Sequence, residues 1–320
     1  MSKYEPIDLN RVRTHPFDLK KRKVEIKDFS KPDGNALSFS AFLDSLPRVL
    51  KASDLKKLID LILLARKNKK PVIFFGGAHL IKCGLSPLLV DLMEDGFLTF
   101  FSTHGASIVH DIEIAFFGKT SEVVEKNIED GSFGMTAETS EIFNGAVAEA
   151  KKLNLGLGEA IGKKITEGNA KYKEYSLFFN AYRLNIPACV HIGIGTDVLN
   201  QNPGYEAETV GKASFLDFKI LCEEVSKIDG GGVVMNFGSA VILPEVFLKA
   251  LSVARNIKGK VDGFVTANFD MIQHYRPIQN VVKRPTQSSG HGFSFTGHHE
   301  IMLPLLYWAL KVNSNRKTKV

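Results

Sequence analysis

The chain has 320 residues, of which 44% are hydrophobic and 24% charged, with a formal net charge of +6. This is globular composition: it excludes a disordered or collagen-like chain and allows one large α/β domain or two small ones. Three widely separated cysteines, Cys83, Cys189 and Cys222, form no CxxC pair, which argues against a disulfide framework and a cysteine-rich zinc site.

The basic excess gathers near the ends, in Lys20-Lys21-Arg22-Lys23 and Arg316-Lys317-Thr318-Lys319, without interleaved aromatics. Such runs read as solvated ends, and no nucleic-acid partner is expected. The first residues hold no apolar signal core. No stretch approaches about 18 uninterrupted apolar residues, so no membrane partner is expected and a cytoplasmic location is the default.

Residues 1–35 are polar, contain Pro16, Pro32 and Gly34, and read as an irregular arm on a single domain. Ser53 is a good N-cap for a helix over 54–67, whose stripe is Leu55, Leu58, Ile59, Ile62 and Leu63. Pro71-Val72-Ile73-Phe74-Phe75 reads as a strand ending at Gly76-Gly77, followed by a helix over 87–94. A second strand is expected over 97–101. It gives way at Ser102-Thr103-His104-Gly105 to a helix over 106–117, a start whose backbone N–H groups can bind an anion. Residues 121–183 read as a helical excursion. The strand series resumes over 186–192 with the turn Gly195-Thr196-Asp197, over 232–237 with Gly238-Ser239, and over 261–266 with Asn268-Phe269-Asp270. Helices are expected over 214–228, 244–255 and 299–310, the last preceded by a Gly/Ser/His-rich loop over 286–297. The alternation predicts an α/β fold, a Rossmann-like open, mostly parallel sheet with helices on both faces.

Ligands of open α/β sheets bind outside the carboxyl ends of the strands, where five of these turns fall. Neither GxGxxG at the first turn nor GxxxxGK[ST] is present, so the standard dinucleotide fingerprint and the P-loop are absent. His104 and His110 are candidates for proton transfer beside a phosphate-binding turn. They stand six apart, off a single helix face, and no metal site is expected. Lys283 is a candidate for imine chemistry. The His-rich late loop leaves a metal-dependent hydrolase open as a third class.

The order PVIFFGGAHLIKCG, DLMEDG, FLTFFSTHGASIVHD, IPACVHIGIGTD, ASFLDFKILCEEVSKI, GGVVMNFGSAVI, GFVTANFD and HHEIMLPLLYWAL resembles deoxyhypusine synthase and its bacterial relatives over about residues 40–310. The resemblance implies a Rossmann-like homotetramer that binds NAD between subunits and transfers the butylamine part of spermidine through a lysine imine. It implies that Gly77, Thr103, Gly105, Asp111, Asp197 and Asp270 surround the cofactor, and that Lys283 stands nearest to the imine lysine. Two family features are missing: the His pair after the fourth strand, where Ser239-Ala240-Val241 stands, and the Ser-Trp-Gly before the lysine. Asn200 and Asn202 occupy the stretch where acids hold the polyamine. The expected function is therefore an NAD-dependent transferase acting on a polyamine or other small amine with altered specificity, or else a non-catalytic nucleotide- or ligand-binding member of the fold.

Overall fold

The computed structural model describes residues 3, 7–13, 16, 24–31 and 38–317. Lys20-Lys21-Arg22-Lys23, Pro32, Gly34 and Thr318-Lys319 lie outside the described residues. The chain forms two compact units, Met1–Ser53 and Asp54–Val320. In the first, 3-10 turns at Leu9–Arg11 and Ile26–Asp28 precede helix α1 (Phe39–Ser45). Asp28 accepts the Glu25 N–H at 3.0 Å, and Ser38 caps α1 by accepting the Ala41 N–H at 3.2 Å.

Helix α2 (Leu50–Lys67) starts earlier than expected, so Ser53 lies in its first turn. The order is then β1 (Val72–Gly76), α3 (His79–Lys82), α4 (Ser86–Glu94), β2 (Phe100–His104) and α5 (Gly105–Phe117). Four helices follow before the next strand: α6 (Val124–Asp130), α7 (Ala137–Leu153), α8 (Leu157–Glu167) and α9 (Leu177–Arg183). The chain continues with β3 (Ala188–His191), α10 (Ala207–Ser226), β4 (Val233–Phe237), α11 (Ile242–Lys258) and β5 (Val265–Asp270). It closes with α12 (Tyr275–Pro277), a π-helical stretch Ile278–Lys283, β6 (His291–Thr296) and α13 (His299–Lys317).

All six strands are parallel, in the order β3-β2-β1-β4-β5-β6. This is the Rossmann order, and strand succession reverses between β1 and β4. On one face, Ile73, Phe75 and Val234 bury against Leu221 and Val225 of α10 and Phe247 and Leu251 of α11. The other face carries a phenylalanine ladder across five strands. Successive ring centroids from Phe101 through Phe74, Phe237 and Phe269 to Phe295 lie 6.4, 5.1, 4.2 and 4.7 Å apart. Phe178 of α9 meets Phe101 edge-on at 6.1 Å. Among the described residues, no helix is long and apolar enough to cross a membrane.

Three strand expectations are corrected. β2 begins at Phe100 because the N–H groups of Phe97 and Leu98 both bond to Leu92 O, at 2.8 and 3.1 Å, and close the end of α4. β5 begins at Val265, after a turn in which Gly263 has φ +66°. The expected loop over 286–297 contains β6, an edge strand in which Phe293 and Phe295 are buried between more exposed neighbours. Its Gly, Ser and His content conceals that alternation.

Candidate active site at the carboxyl edge of the sheet

At the reversal point, β1 and β4 are each followed by a glycine, and these two glycines touch. The Gly77 N–H donates to Phe237 O at 2.8 Å, and a Cβ on Gly77 would lie 2.4 Å from Gly238 O. Gly238 has φ +69°, the left-handed region that glycine occupies most readily. A Cβ there would lie 2.7 Å from His299 Nε2. The crevice rim between β1 and β4 is therefore bare backbone, with the His299 ring beside it. His299 is buried, its Nδ1 has no hydrogen-bond partner, and its Nε2 lies 3.9 Å from Asp270 Oδ1. Burial pushes the His299 pKa down, while Asp270 opposes this. Asp270 ends β5 and caps the following turn by accepting the Met271 N–H at 2.8 Å.

On the β2 side, Thr103 is fully buried. Its hydroxyl donates to Gly76 O at 2.6 Å and lies 2.5 Å from Ser107 Oγ, tying the ends of β1 and β2 together. His104 ends β2 as the residue preceding α5, and Gly105 opens that helix. The Asp197 carboxylate sits over this helix start. It accepts the Gly193 N–H at 2.7 Å, and the backbone N–H groups of Gly193, Ala106 and Gly105 favour its charged form. A protein carboxylate thus occupies the helix start where the sequence suggested an anion site. His104 Nδ1 lies 4.0 Å from Asp197 Oδ1 and has no hydrogen-bond partner. Burial lowers the His104 pKa, opposed by Asp197, and raises that of Asp197. At 4.0 Å the two groups face one another without a hydrogen bond.

Beside this pair opens a cavity of about 410 Å³, lined among others by Lys82, His110, Glu113, Glu122 and Asp197. His110 Nδ1 lies 2.7 Å from Thr120 Oγ1, which donates to Glu113 at 2.5 Å. Burial, with Lys82 and His104 adding to it, lowers His110 to about 4, so it is neutral at pH 7. An adjoining cavity of about 340 Å³ is lined by Glu113, Glu122 and Glu138 together with Phe117, Lys119 and four hydroxyl side chains. Carboxylates beside an aromatic ring suit a cationic ligand.

The structure thus brings Gly77, Thr103, His104, Gly105, His110, Asp197 and Asp270 to one edge of the sheet. Asp111 lies elsewhere. It is fully buried and accepts from the Ser176 hydroxyl and from the Leu177 N–H at 2.7 Å, capping α9. Burial raises it to about 6. Lys283 is exposed at the end of the π-helical stretch. Its neighbour Val282 offers the carbonyl against which a Cβ on Gly292, near the start of β6, would fall at 2.0 Å. That places Lys283 at the opposite, amino edge of the sheet. Sequence reasoning missed Glu113, Glu122, His79 and the buried role of His299. Only the His-rich character of 291–299 signalled any of them.

The fold is that of a Rossmann-like α/β protein, with strand succession reversing between β1 and β4. No protein-family model matches the chain, and no curated protein matches it in sequence. Among solved structures, the chain is similar to a "putative deoxyhypusine synthase" from Entamoeba histolytica. The two share 12% identity and a TM-score of 0.51, over 87% of this chain and 95% of that one. It is also similar to a "conserved putative LOR/SDH protein" from Methanococcus maripaludis S2, at 16% identity and TM-score 0.53, over 83% and 71% of the two chains. A third likeness is to AgrE in its ternary complex with ornithine and NAD+, at 12% identity and TM-score 0.52. That match covers 82% of this chain and 33% of AgrE, so the chain spans about a third of that protein's length. These likenesses establish the fold.

Proposed function

We propose that this chain binds NAD across the β1/β4 crevice and acts on a small amine, as a deoxyhypusine synthase-like transferase of altered specificity. The observation that carries the reading is the bare contact of Gly77 with Gly238 at the reversal point of the sheet, where a backbone can approach a pyrophosphate closely. When bound there, NAD supplies a hydride acceptor. In this reading Gly77, Gly105 and Asp270 would border the cofactor, with His104 and Asp197 at the neighbouring end of β2. His104, kept neutral by burial, takes the proton that an amine must lose before oxidation. Glu113 and Glu122 hold the remaining ammonium group of a diamine or polyamine. Homotetrameric assembly belongs to the same reading, and the mass in solution tests it.

A second reading, ligand binding without turnover, is favoured by the remote, exposed position of Lys283, the lysine that the family resemblance pointed to. Calorimetric titration of dialysed protein with NAD, with and without spermidine, tests the first reading. Micromolar NAD binding strengthened by the polyamine, with NADH formed on mixing, supports it. Binding without NADH transfers the case to the second reading, and no NAD binding by folded protein rejects the first.

A further inference from the structure

We propose that His79, Cys83 and Glu300 form a binding site for a divalent transition metal of the zinc class. The linear spacing of His104 and His110 gives no hint of this, because the site is assembled from two distant segments. His79 opens α3 and Cys83 follows its last residue, and the Cys83 N–H donates to His79 O at 2.9 Å. That bond fixes one helical turn between them, so both side chains leave the same face. Glu300 comes from the first turn of α13. One ligand atom from each, an imidazole nitrogen, the thiol sulfur and a carboxylate oxygen, lies within 4.8 Å of the others. Tetrahedral coordination with metal–ligand bonds of about 2.0 to 2.3 Å sets donor atoms roughly 3.3 to 3.8 Å apart. His79 and Glu300 are exposed and Cys83 is half-buried, so a movement of about an ångström is open to each side chain.

The surroundings fit the same assignment. The His79 ring stands edge-on to the buried His299 ring, with centroids 5.9 Å apart, which orients it. Nitrogen, sulfur and carboxylate together suit zinc or cobalt better than magnesium or calcium, which take all-oxygen shells. Three protein ligands leave a fourth position for water, as in zinc sites that bind or activate a ligand. His298 Nδ1 lies 3.8 Å from Glu300 Oε1 and is the neighbouring group that competes for that carboxylate; Lys82, next in sequence to Cys83, is the nearby cation. Metal binding releases the thiol proton, so affinity falls as pH falls. The assignment stands independently of NAD binding.

The test uses untagged full-length protein stripped with a chelator and titrated with cobalt(II), followed by zinc displacement. The expected result is one cobalt per chain, with a thiolate-to-cobalt charge-transfer band and the intense visible bands of a tetrahedral ion. Zinc should abolish both. Cys83→Ser should remove the charge-transfer band, and Glu300→Gln and His79→Asn should each weaken binding by about 100-fold or more. His79 and Glu300 are exposed and Cys83 is half-buried, and unchanged melting curves would confirm that the variants fold. Absence of the charge-transfer band in wild-type protein, or its persistence in Cys83→Ser, overturns the proposal.

Discussion

Gly105 and Asp197 occupy one another's space: a Cβ on Gly105 would fall 2.5 Å from Asp197 Cγ and 2.6 Å from its Oδ2. The absence of a side chain at the start of α5 is what admits the carboxylate. Gly105→Ala must therefore push Asp197 aside, and we expect a loss of about 1–3 kcal/mol in urea unfolding. In an Asp197→Ala background the same glycine change should cost less than about half as much, because the clash is gone. Equal costs in both backgrounds would falsify the contact.

Asp217 gives the fold a pH dependence of unusual sign. Its Oδ2 accepts the N–H groups of Gly158 at 3.0 Å and Val190 at 2.8 Å, and burial raises its pKa to about 7 from 3.8. The native state binds this proton more tightly than the unfolded chain does. Stability from this group is therefore greatest at low pH and declines as pH rises between about 4 and 7. Asp217→Asn keeps a carbonyl oxygen for both donors and removes the titration. Relative to wild type, the variant should gain roughly 1–3 kcal/mol on going from pH 5 to pH 8. Parallel stability curves across that range would count against the assignment.

The phenylalanine ladder predicts a cooperative loss at its centre. Phe237 is fully buried, with Phe74 at 5.1 Å on one side and Phe269 at 4.2 Å on the other. Phe237→Ala should cost about 3–5 kcal/mol, read as a lowered denaturant midpoint. Phe237→Leu should cost much less, since most of the volume is retained.

If His104 is the proton acceptor, its lowered pKa sets the acid limb of the rate profile. A base works when deprotonated, so the acid limb of kcat/KM should be centred below the ordinary histidine value of 6.5. His104→Ala should lower kcat at pH 7.5 by about 100-fold or more while leaving NAD affinity within about threefold. An acid limb centred above 6.5 would assign the base elsewhere.

Lys283 and Glu113 make opposite predictions. Lys283 is exposed at the amino edge, and Lys283→Ala should alter neither stability beyond about 0.5 kcal/mol nor turnover. Glu113 lines both cavities. Glu113→Gln should raise KM for a diamine or polyamine by about tenfold and leave its NAD affinity unchanged. Loss of turnover in Lys283→Ala would restore the imine lysine to the mechanism.

The sequence by itself determined the elements whose signal is local. Apolar β-branched and aromatic runs marked β1, β3 and β4, and a 3.6-residue stripe marked α2. The turns at Gly76-Gly77, Gly195-Thr196-Asp197 and Gly238-Ser239 were legible because glycine and small polar residues break both periodicities. From alternation alone, the parallel Rossmann-like class followed. β6 was not legible, since an edge strand buries only Phe293 and Phe295 and its other residues look like loop. The site was legible only in part, because it is built from residues that meet through strand order. His104 and Asp197 are separated by a long helical insertion, yet β2 pairs directly with β3 and brings them to 4.0 Å. Asp111 resembles a site acid in the sequence, but the opposite side of α5 places it under α9 as a cap. His79 and Cys83 meet Glu300 only because α13 returns the chain to the end of β1. Local patterns record how a segment folds; which segments share an edge is fixed by the order in which the strands pair, and that order is a property of the whole packed core.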